Sequence, residues 1–324
     1  GRQRRERRRH PPEGQGLLPP GISAEHLGPY DFYYWDNFWS LRGLLDAAFL
    51  LEAAGDSGAA RQAVKVAAEL RAAIFSSLEA AAARLGAPIM PAGPTRGFDQ
   101  GMIGSLVACW PLELLSAEDE RVVASMDAVR DQFCIGDAFF QGISHTGLGT
   151  YLTLQLAFVE LASGDPRAWD RLRWMLSAAT PTFTWPEAIH PRLGGGCMGD
   201  GHHGWAAADF LSFVRAVLVR ELADDRVALL TILPPGWEGS PVEVRDAPTH
   251  AGRVSYALRW HGDRPALLWE CERPGVELVA PGLDRTWSTR EQAGEALLEP
   301  FVDRPSPPRR VRLGSPAHVS PGQT

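Results

Sequence analysis

The sequence has only four cysteines, and no two of them are close enough in the sequence to form a typical pair. Cys109, Cys134, Cys197 and Cys271 are scattered along the chain. Disulfide frameworks and structural zinc sites both need cysteines at characteristic paired spacings, so neither is expected here. A reducing compartment is the simplest environment for such thiols. We therefore predict a cytoplasmic protein without disulfides.

Long apolar runs are also missing from the sequence. No stretch approaches the roughly 20 consecutive apolar residues that a helix needs to cross a bilayer, so we expect no membrane partner. The 324 residues are 45% hydrophobic and 22% charged, which is ordinary for globular proteins. A chain of this size can bury one large core or two modest ones.

Basic residues are concentrated in the opening segment GRQRRERRRH, although the formal net charge of the chain is −7. A basic arm is one way to bind nucleic acid. However, no basic helix or aromatic platform follows it, so we expect a disordered linker over 1–15 and no nucleic-acid partner. The abrupt start also suggests a truncated chain or a preceding domain. The residues 301–324 are rich in Pro, Ser and Arg and are expected to form a disordered tail.

Apolar residues at helical spacing predict about seven helices in the first two thirds of the chain. These are 36–54, 57–85, 103–112, 119–133, 151–161, 167–179 and 204–218. Long loops with aromatic, acidic and histidine residues precede the first, third, fifth and seventh, and short polar turns follow them. Helical hairpins arranged in a ring place loops of one kind on one face. We therefore predict a mainly α protein, with an incomplete (α/α) toroid over 16–223 as the catalytic domain.

Beyond Asp224 the hydrophobic pattern changes to a period of two. Five short segments of alternating residues are bounded by turn sequences such as Pro-Pro-Gly and His-Gly-Asp. Strands of this length and number are typical of a small antiparallel β-sandwich. We expect this sandwich to form an accessory domain over 224–300.

Two aromatic and acidic segments carry the functional signal. The first contains Trp35, Asp36 and Trp39 at the start of a predicted helix. Flat rings suit the C–H faces of sugars and carboxylates accept hydrogen bonds from hydroxyls, so this segment is typical of a sugar site. A simple aromatic core is the alternative interpretation.

The second segment runs from Trp185-Pro186-Glu187 through a glycine-rich loop to Trp205 at the start of the last helix. Long loops in compact domains are usually functional or disordered, and the apolar residues of this one argue against disorder. A carboxylate between two tryptophans indicates a lined polar pocket. The alternative is that Glu187 is an acid that merely favours a helix dipole.

Histidines near the second segment raise the question of a metal. Cys197, Asp200, His202 and His203 fall within seven residues. Adjacent histidines point apart, and no second ligand pair completes a tetrahedron, so we expect neither a metal nor a cofactor. We expect His202 or His203 to bind substrate or to orient a carboxylate, and His145 has the same two interpretations.

The segment Tyr34–Trp39, together with Trp185-Pro186-Glu187 and the helix start at Trp205, resembles the six-hairpin glycosidases, in particular glucoamylases and processing α-glucosidases. The resemblance covers roughly 16–300. It implies an inverting glycoside hydrolase acting on an α-linked glucoside or related sugar, with Glu187 as general base and Asp99, by position, as general acid. It also implies that tryptophans wall the sugar and that Asp36 holds its hydroxyls. The walls would be Trp35, Trp39, Trp185 and Trp205.

The sequence departs from that family in its helix count, because a full toroid has twelve helices. If helices are missing, an apolar face should lie open along the first and last helices. A non-catalytic carbohydrate-binding or assembly module on the same fold is the main alternative function. A terpenoid cyclase would need an aspartate-rich helix mouth, which the sequence does not contain. The sequence predicts no oligomeric state.

Overall fold

The computed structural model describes residues 14–22, 30–143, 146–199 and 201–299. The predicted tail 301–324, most of the predicted linker 1–15, and His145 lie outside the described residues. Six α-helices and one 3-10 helix are described. They are α1 (Tyr34–Ala53), α2 (Ser57–Leu85), the 3-10 helix (Gln100–Ala108), α3 (Glu120–Phe133), α4 (Thr150–Ser163), α5 (Arg167–Ala178) and α6 (Gly204–Leu218).

Helix α2 shows how local signals fix the helix ends. The Asp56 carboxylate accepts a hydrogen bond from the backbone N–H of Ala59, which satisfies one of the free donors of the first turn. The helix ends at Gly86, whose φ of 73° is a left-handed conformation that glycine adopts without strain. Between these ends, Leu70, Ile74 and Leu78 are buried, and α2 packs against α1.

The third predicted helix forms a 3-10 helix instead of an α-helix. Residues from Gly101 to Ala108 are buried on all sides, so tertiary packing rather than an amphipathic pattern decides their conformation. The Ser105 hydroxyl donates to the carbonyl of Pro91 and ties the segment to the preceding loop. Because Asp99 caps this helix, its carboxylate has a fixed position.

The prediction of a mainly α toroid is wrong, because the chain is a mixed α/β protein. Segments expected to be loops between helices pair into a five-stranded antiparallel sheet in the order β1 to β5. Its strands are β1 (Cys134–Ile135), β2 (Ala138–Gln141), β3 (Gly147–Gly149), β4 (Ala188–Ile189) and β5 (Gly196–Met198). Strands of two to four residues carry no period-two signal, and pairs such as Gly149 with Ala188 join distant parts of the chain.

The C-terminal part contains two four-stranded sheets rather than five strands. One has the order β12-β11-β7-β6 and the other the order β13-β10-β9-β8. The strands are β6 (Val219–Ala223), β7 (Arg226–Leu229), β8 (Val242–Thr249), β9 (Gly252–His261), β10 (Arg264–Cys271), β11 (Glu277–Ala280), β12 (Asp284–Thr289) and β13 (Ala293–Leu297). Since β11 runs parallel to β7, the expectation of a purely antiparallel sandwich is also wrong.

Each half of the chain buries its own hydrophobic cluster. The larger cluster joins the helices, and a second one contains residues of both C-terminal sheets, such as Leu229 and Leu258. The two halves are tied together where α6 leads into β6, since the Thr231 hydroxyl donates to the carbonyl of Ala216. The predicted boundary at 223/224 falls in the turn between β6 and β7.

Some apolar side chains of the described helices remain at the surface. Phe49 and Leu50 on α1 and Leu211 on α6 are 73%, 64% and 68% exposed. None of the helices in the described ranges combines the length and the apolar character of a membrane span.

Candidate functional site

A row of aromatic rings lies where the first turns of three helices meet. The ring centroids of Trp39 and Trp35 on α1 are 5.8 Å apart, and Trp35 is 6.2 Å from Trp205 on α6. Trp205 is 4.6 Å from Tyr151 on α4, which in turn lies 5.1 Å from His203. Trp39 and Trp205 are 42% and 41% exposed, while Tyr151 is 5% exposed, so the two tryptophans are the part of the row that is open to solvent.

The start of α4 is tied to the segment that contains Glu187. The backbone N–H of Thr150 donates to the carbonyl of Glu187 over 3.1 Å, and the Thr150 hydroxyl donates to the carbonyl of Pro186 over 2.8 Å. Tyr151 is the next residue. Glu187 therefore lies beside the aromatic row at the beginning of α4.

The start of α6 is held by the same segment. The backbone N–H of His203 donates to the carbonyl of Trp185 over 2.8 Å, while the His203 Nδ1 accepts from the N–H of Ala206. The glycine-rich loop packs against Glu187 as well, because a Cβ at Gly199 would lie 3.1 Å from the Glu187 Cβ. The conformation of the loop thus requires glycine at position 199, because a side chain there would crowd Glu187 and because the φ of Gly199 is positive.

A charged cluster surrounds the buried Tyr33 next to α1. Burial raises the pKa of the Tyr33 phenol, and the negative charges of Asp31, Asp99 and Asp36 raise it further, while Arg96 acts in the opposite direction. These four charged groups are therefore within electrostatic range of a single side chain. Since Asp36 follows Trp35 directly, the cluster adjoins the aromatic row.

Asp99 is held rigidly within this cluster. One carboxylate oxygen accepts from the Arg96 guanidinium over 2.6 Å, and the other accepts from the backbone N–H of Gly101 over 3.0 Å. Both oxygens are therefore engaged before any ligand binds. A substrate oxygen would have to share the Asp99 carboxylate with these two donors, which favours a positioning role for Asp99 over that of general acid.

Asp36 is in a different environment, in the first turn of α1. Its side chain is partly buried, and this burial raises the pKa of the Asp36 carboxyl above its usual value of 3.8. No ion pair to Asp36 is found among the residues that the structure describes. Asp36 therefore retains a proton at a higher pH than an aspartate in water.

Asp31 is a residue that the sequence analysis missed. It is buried, and its carboxylate accepts hydrogen bonds from the Thr95 hydroxyl at 2.8 Å and from the N–H of Phe32. A Cβ at Gly93 would lie only 2.7 Å from the Asp31 oxygen, so the neighbouring loop closes over it. Asp31 thereby fixes the loop that leads to Arg96. A lone aspartate before an aromatic run carries no sequence signal for this role.

Trp185 does not join the aromatic row, contrary to the expectation from the sequence. It is only 2% exposed, its ring lies 4.9 Å from Phe210, and its indole N–H donates to the carbonyl of Met175. A side chain with this burial and a satisfied N–H cannot wall an open sugar site. Tyr151, which the sequence did not single out, is also buried at 5% exposed, but its ring contacts Trp205 and so forms the inner end of the row.

The histidines divide between the site and the surface. His203 is at the site, through its contact with Tyr151 and its capping of α6. His202 is exposed in the turn before it. Cys197 lies at the surface, and its thiol donates to the carbonyl of Thr146. In the described ranges, which omit Asp200, no three His, Cys, Asp or Glu side chains come together as a possible metal site.

Comparison with known proteins assigns no family. No protein-family model and no curated protein matches the chain. A solved wild-type glycosidase is 17% identical over 57% of this chain and 51% of its own, with a TM-score of 0.43. A glycosidase variant is 17% identical over 60% of this chain and 54% of its own, with a TM-score of 0.47. A glycosidase variant in complex with glucose is 18% identical over 56% of this chain and 45% of its own, with a TM-score of 0.38.

The chain thus spans about half the length of these glycosidases. At such TM-scores and identities the likeness carries no conclusion about activity or family, and the function has to be argued from the site itself.

Proposed function

We propose that this protein is a glycoside hydrolase that acts on an α-linked glucoside or a related sugar. The observation that carries the proposal is the row of aromatic rings whose Trp39 and Trp205 are open to solvent. Two partly buried acidic residues, Asp36 and Glu187, belong to the segments that adjoin this row. Flat apolar surfaces beside carboxyl groups suit a carbohydrate, whose C–H faces pack on the rings and whose hydroxyls donate to the carboxylates.

The aromatic row supplies the binding surface for the sugar. The exposed faces of Trp39 and Trp205 suit the C–H faces of a pyranose ring, because such packing buries apolar area without desolvating the hydroxyls. Hydroxyl groups at the edge of the ring then point to the charged cluster. There Asp99, oriented by Arg96, accepts a hydrogen bond from a sugar hydroxyl rather than donating a proton.

The carboxyl groups of Asp36 and Glu187 have different roles in the proposed reaction. Cleavage of a glycosidic bond passes through an oxocarbenium-like state and needs an acid at the leaving oxygen and a base or nucleophile on the other side. Asp36 acts as the acid in this proposal, because its raised pKa favours the protonated form. Glu187 acts as the base that deprotonates the attacking water.

Inversion of configuration follows from this assignment. Inverting enzymes hold their two carboxyls roughly 6.5–9.5 Å apart so that a water molecule fits beside the sugar. In this proposal Asp36 on α1 and Glu187 before β4 hold that wider separation. The reaction uses no cofactor and no metal.

A non-catalytic carbohydrate-binding module is the alternative. The ion pair between Arg96 and Asp99 is the observation in its favour, because it engages the carboxylate to which the resemblance to glycosidases assigns the role of acid, and without Asp36 in that role no acid remains. A binding module would keep the aromatic row and bind sugars without hydrolysing them.

The test is hydrolysis of a panel of aryl and natural α-glycosides by the wild type and two variants. Glu187→Gln keeps the shape of the side chain and removes the base, so the kcat should fall by about 10²–10⁴. The control, Glu270→Gln, changes an exposed glutamate on β10 and should leave the kcat unchanged. Full activity of Glu187→Gln would eliminate Glu187 as the base. Sugar binding by a wild type that hydrolyses nothing would favour the binding module.

A further inference from the structure

Gln141, the last residue of β2, has a fully buried side chain whose amide lacks hydrogen-bond partners. Its exposed fraction is 0%, and neither the amide nitrogen nor the amide oxygen is bonded to another described residue. Burying such a group without partners is unfavourable, and native proteins seldom retain one without a reason. Both ends of this amide are therefore available for a hydrogen bond to a polar group that reaches it.

The strand geometry shows which way this amide faces. Side chains alternate along β2, and Ala138 and Phe140 pack with Leu148 and Ile189 on one face of the sheet. Phe139 lies on the other face in the helical core, and its backbone N–H donates to the Thr153 hydroxyl on α4. Gln141 shares the face of Phe139, so its amide is directed to the side of the sheet that carries α4.

Two contacts connect Gln141 with the candidate site. The neighbouring Gly142 lies against the start of the 3-10 helix, where a Cβ at position 142 would be 3.3 Å from the Gln100 amide nitrogen. Gln100 directly follows Asp99. Gln141 also pairs with Gly147 on β3, the strand that leads into Tyr151. The backbone at Gln141 and Gly142 thus adjoins both the segment that follows Asp99 and the strand that leads into α4.

We propose that the Gln141 carboxamide binds hydroxyl groups of the sugar and selects for them, an inference that rests on the proposed function. A carboxamide presents two N–H donors and a carbonyl acceptor side by side. A hydroxyl donates and accepts at once, so one hydroxyl or two neighbouring ones satisfy both ends of the amide. A site built to bond a hydroxyl rejects the analogue that lacks it, because the buried partner is then left unpaired.

Gln141→Met is the informative substitution, because methionine keeps the length of the side chain and removes both polar atoms. Replacing an unpaired buried amide by an apolar group should leave the melting temperature unchanged or raise it. The same change should raise the Kd for glucose and methyl α-glucoside by about tenfold or more. Isothermal titration calorimetry and thermal unfolding of the full chain measure the two quantities, and a set of monodeoxyglucoses identifies the hydroxyl involved.

Gln155→Met is the matched control. The Gln155 amide lies on α4, is partly buried and donates to the carbonyl of Trp110, so its loss should lower the melting temperature and leave the Kd unchanged. The wild type should bind one deoxyglucose as weakly as Gln141→Met binds glucose.

Two results would overturn the inference. A melting temperature of Gln141→Met that falls as far as that of Gln155→Met would mean that the amide is bonded within the chain. An unchanged Kd in a wild type that binds glucose would mean that no ligand touches the amide, while the proposed function would stand. A wild type that binds no sugar would remove the proposed function and this inference with it.

Discussion

Trp35 and Trp205 lie with their ring centroids 6.2 Å apart, although they belong to α1 and α6, the first and last of the described α-helices. This contact brings the charged cluster beside α1 next to the segment of Glu187 that holds the starts of α4 and α6. The proposed site depends on this contact, because neither half of it contains both carboxyl groups.

Trp205 and Trp185 should respond differently to replacement by alanine. Trp205 is open to solvent, so Trp205→Ala should weaken sugar binding by about tenfold or more, which corresponds to the loss of one stacked ring, and should change stability little. Trp185 is in the core, so Trp185→Ala should lower the free energy of unfolding by about 3–5 kcal/mol. Calorimetric titration and urea denaturation of both variants check this. Equal sugar affinity in wild type and Trp205→Ala would exclude the row as the binding surface.

The raised pKa of Asp36 predicts a pH-dependent stability difference between the wild type and Asp36→Asn. The fold favours the protonated carboxyl, so this contribution to stability is present below the unfolded pKa of 3.8 and is lost as the pH rises through the raised folded value. Asparagine resembles the protonated form at every pH. The variant should therefore gain stability relative to the wild type as the pH increases from about 3 to about 7. Urea denaturation across this range measures it, and a difference that does not change with pH would contradict the assignment.

Glu160 should be essential for stability although it is remote from the aromatic row. Its fully buried carboxylate accepts from Arg171 at 3.0 Å and from Arg130 at 3.2 Å. Glu160→Gln leaves the buried Arg171 without its counter-ion, which should cost about 3–5 kcal/mol. The control, Asp170→Asn, breaks an exposed ion pair with Arg173 and should cost less than about 1 kcal/mol. Urea denaturation that gave the two variants equal losses would refute this prediction.

Metal removal should have no effect on the protein. The proposed chemistry uses two carboxyl groups, and the described residues contain no group of three metal-ligating side chains. Dialysis against EDTA should therefore leave the melting temperature and the glycosidase activity unchanged. A stoichiometric transition metal found by elemental analysis, together with loss of activity on its removal, would contradict this expectation.

The sequence predicts the helices well where their signals are local. Asp56 caps the first turn of α2 and Gly86 adopts the left-handed conformation that ends it. Between them, apolar residues at helical spacing indicate the buried face of the helix. The five-stranded sheet has no such signal, because its short strands depend on partners far along the chain. This is the physical reason why the toroid prediction is wrong.

The same distinction holds for the candidate site. Trp35 and Trp205 stand next to polar residues at helix starts, and this local pattern led to them. Trp185 has a similar pattern, but its burial depends on how α6 places Phe210 against it. Gln141 has no such pattern in the sequence, since only the folded structure shows that its amide is buried and has no partner among the described residues.

The anomeric form of the product tests the central claim most directly. Proton NMR during hydrolysis of an α-glycoside by the wild type distinguishes the two anomers of the released sugar before they equilibrate. If Glu187 activates water opposite a leaving group protonated by Asp36, the first product is the β-anomer and the signal disappears in Glu187→Gln. Release of the α-anomer, or of no sugar from any α-glycoside, would contradict the account.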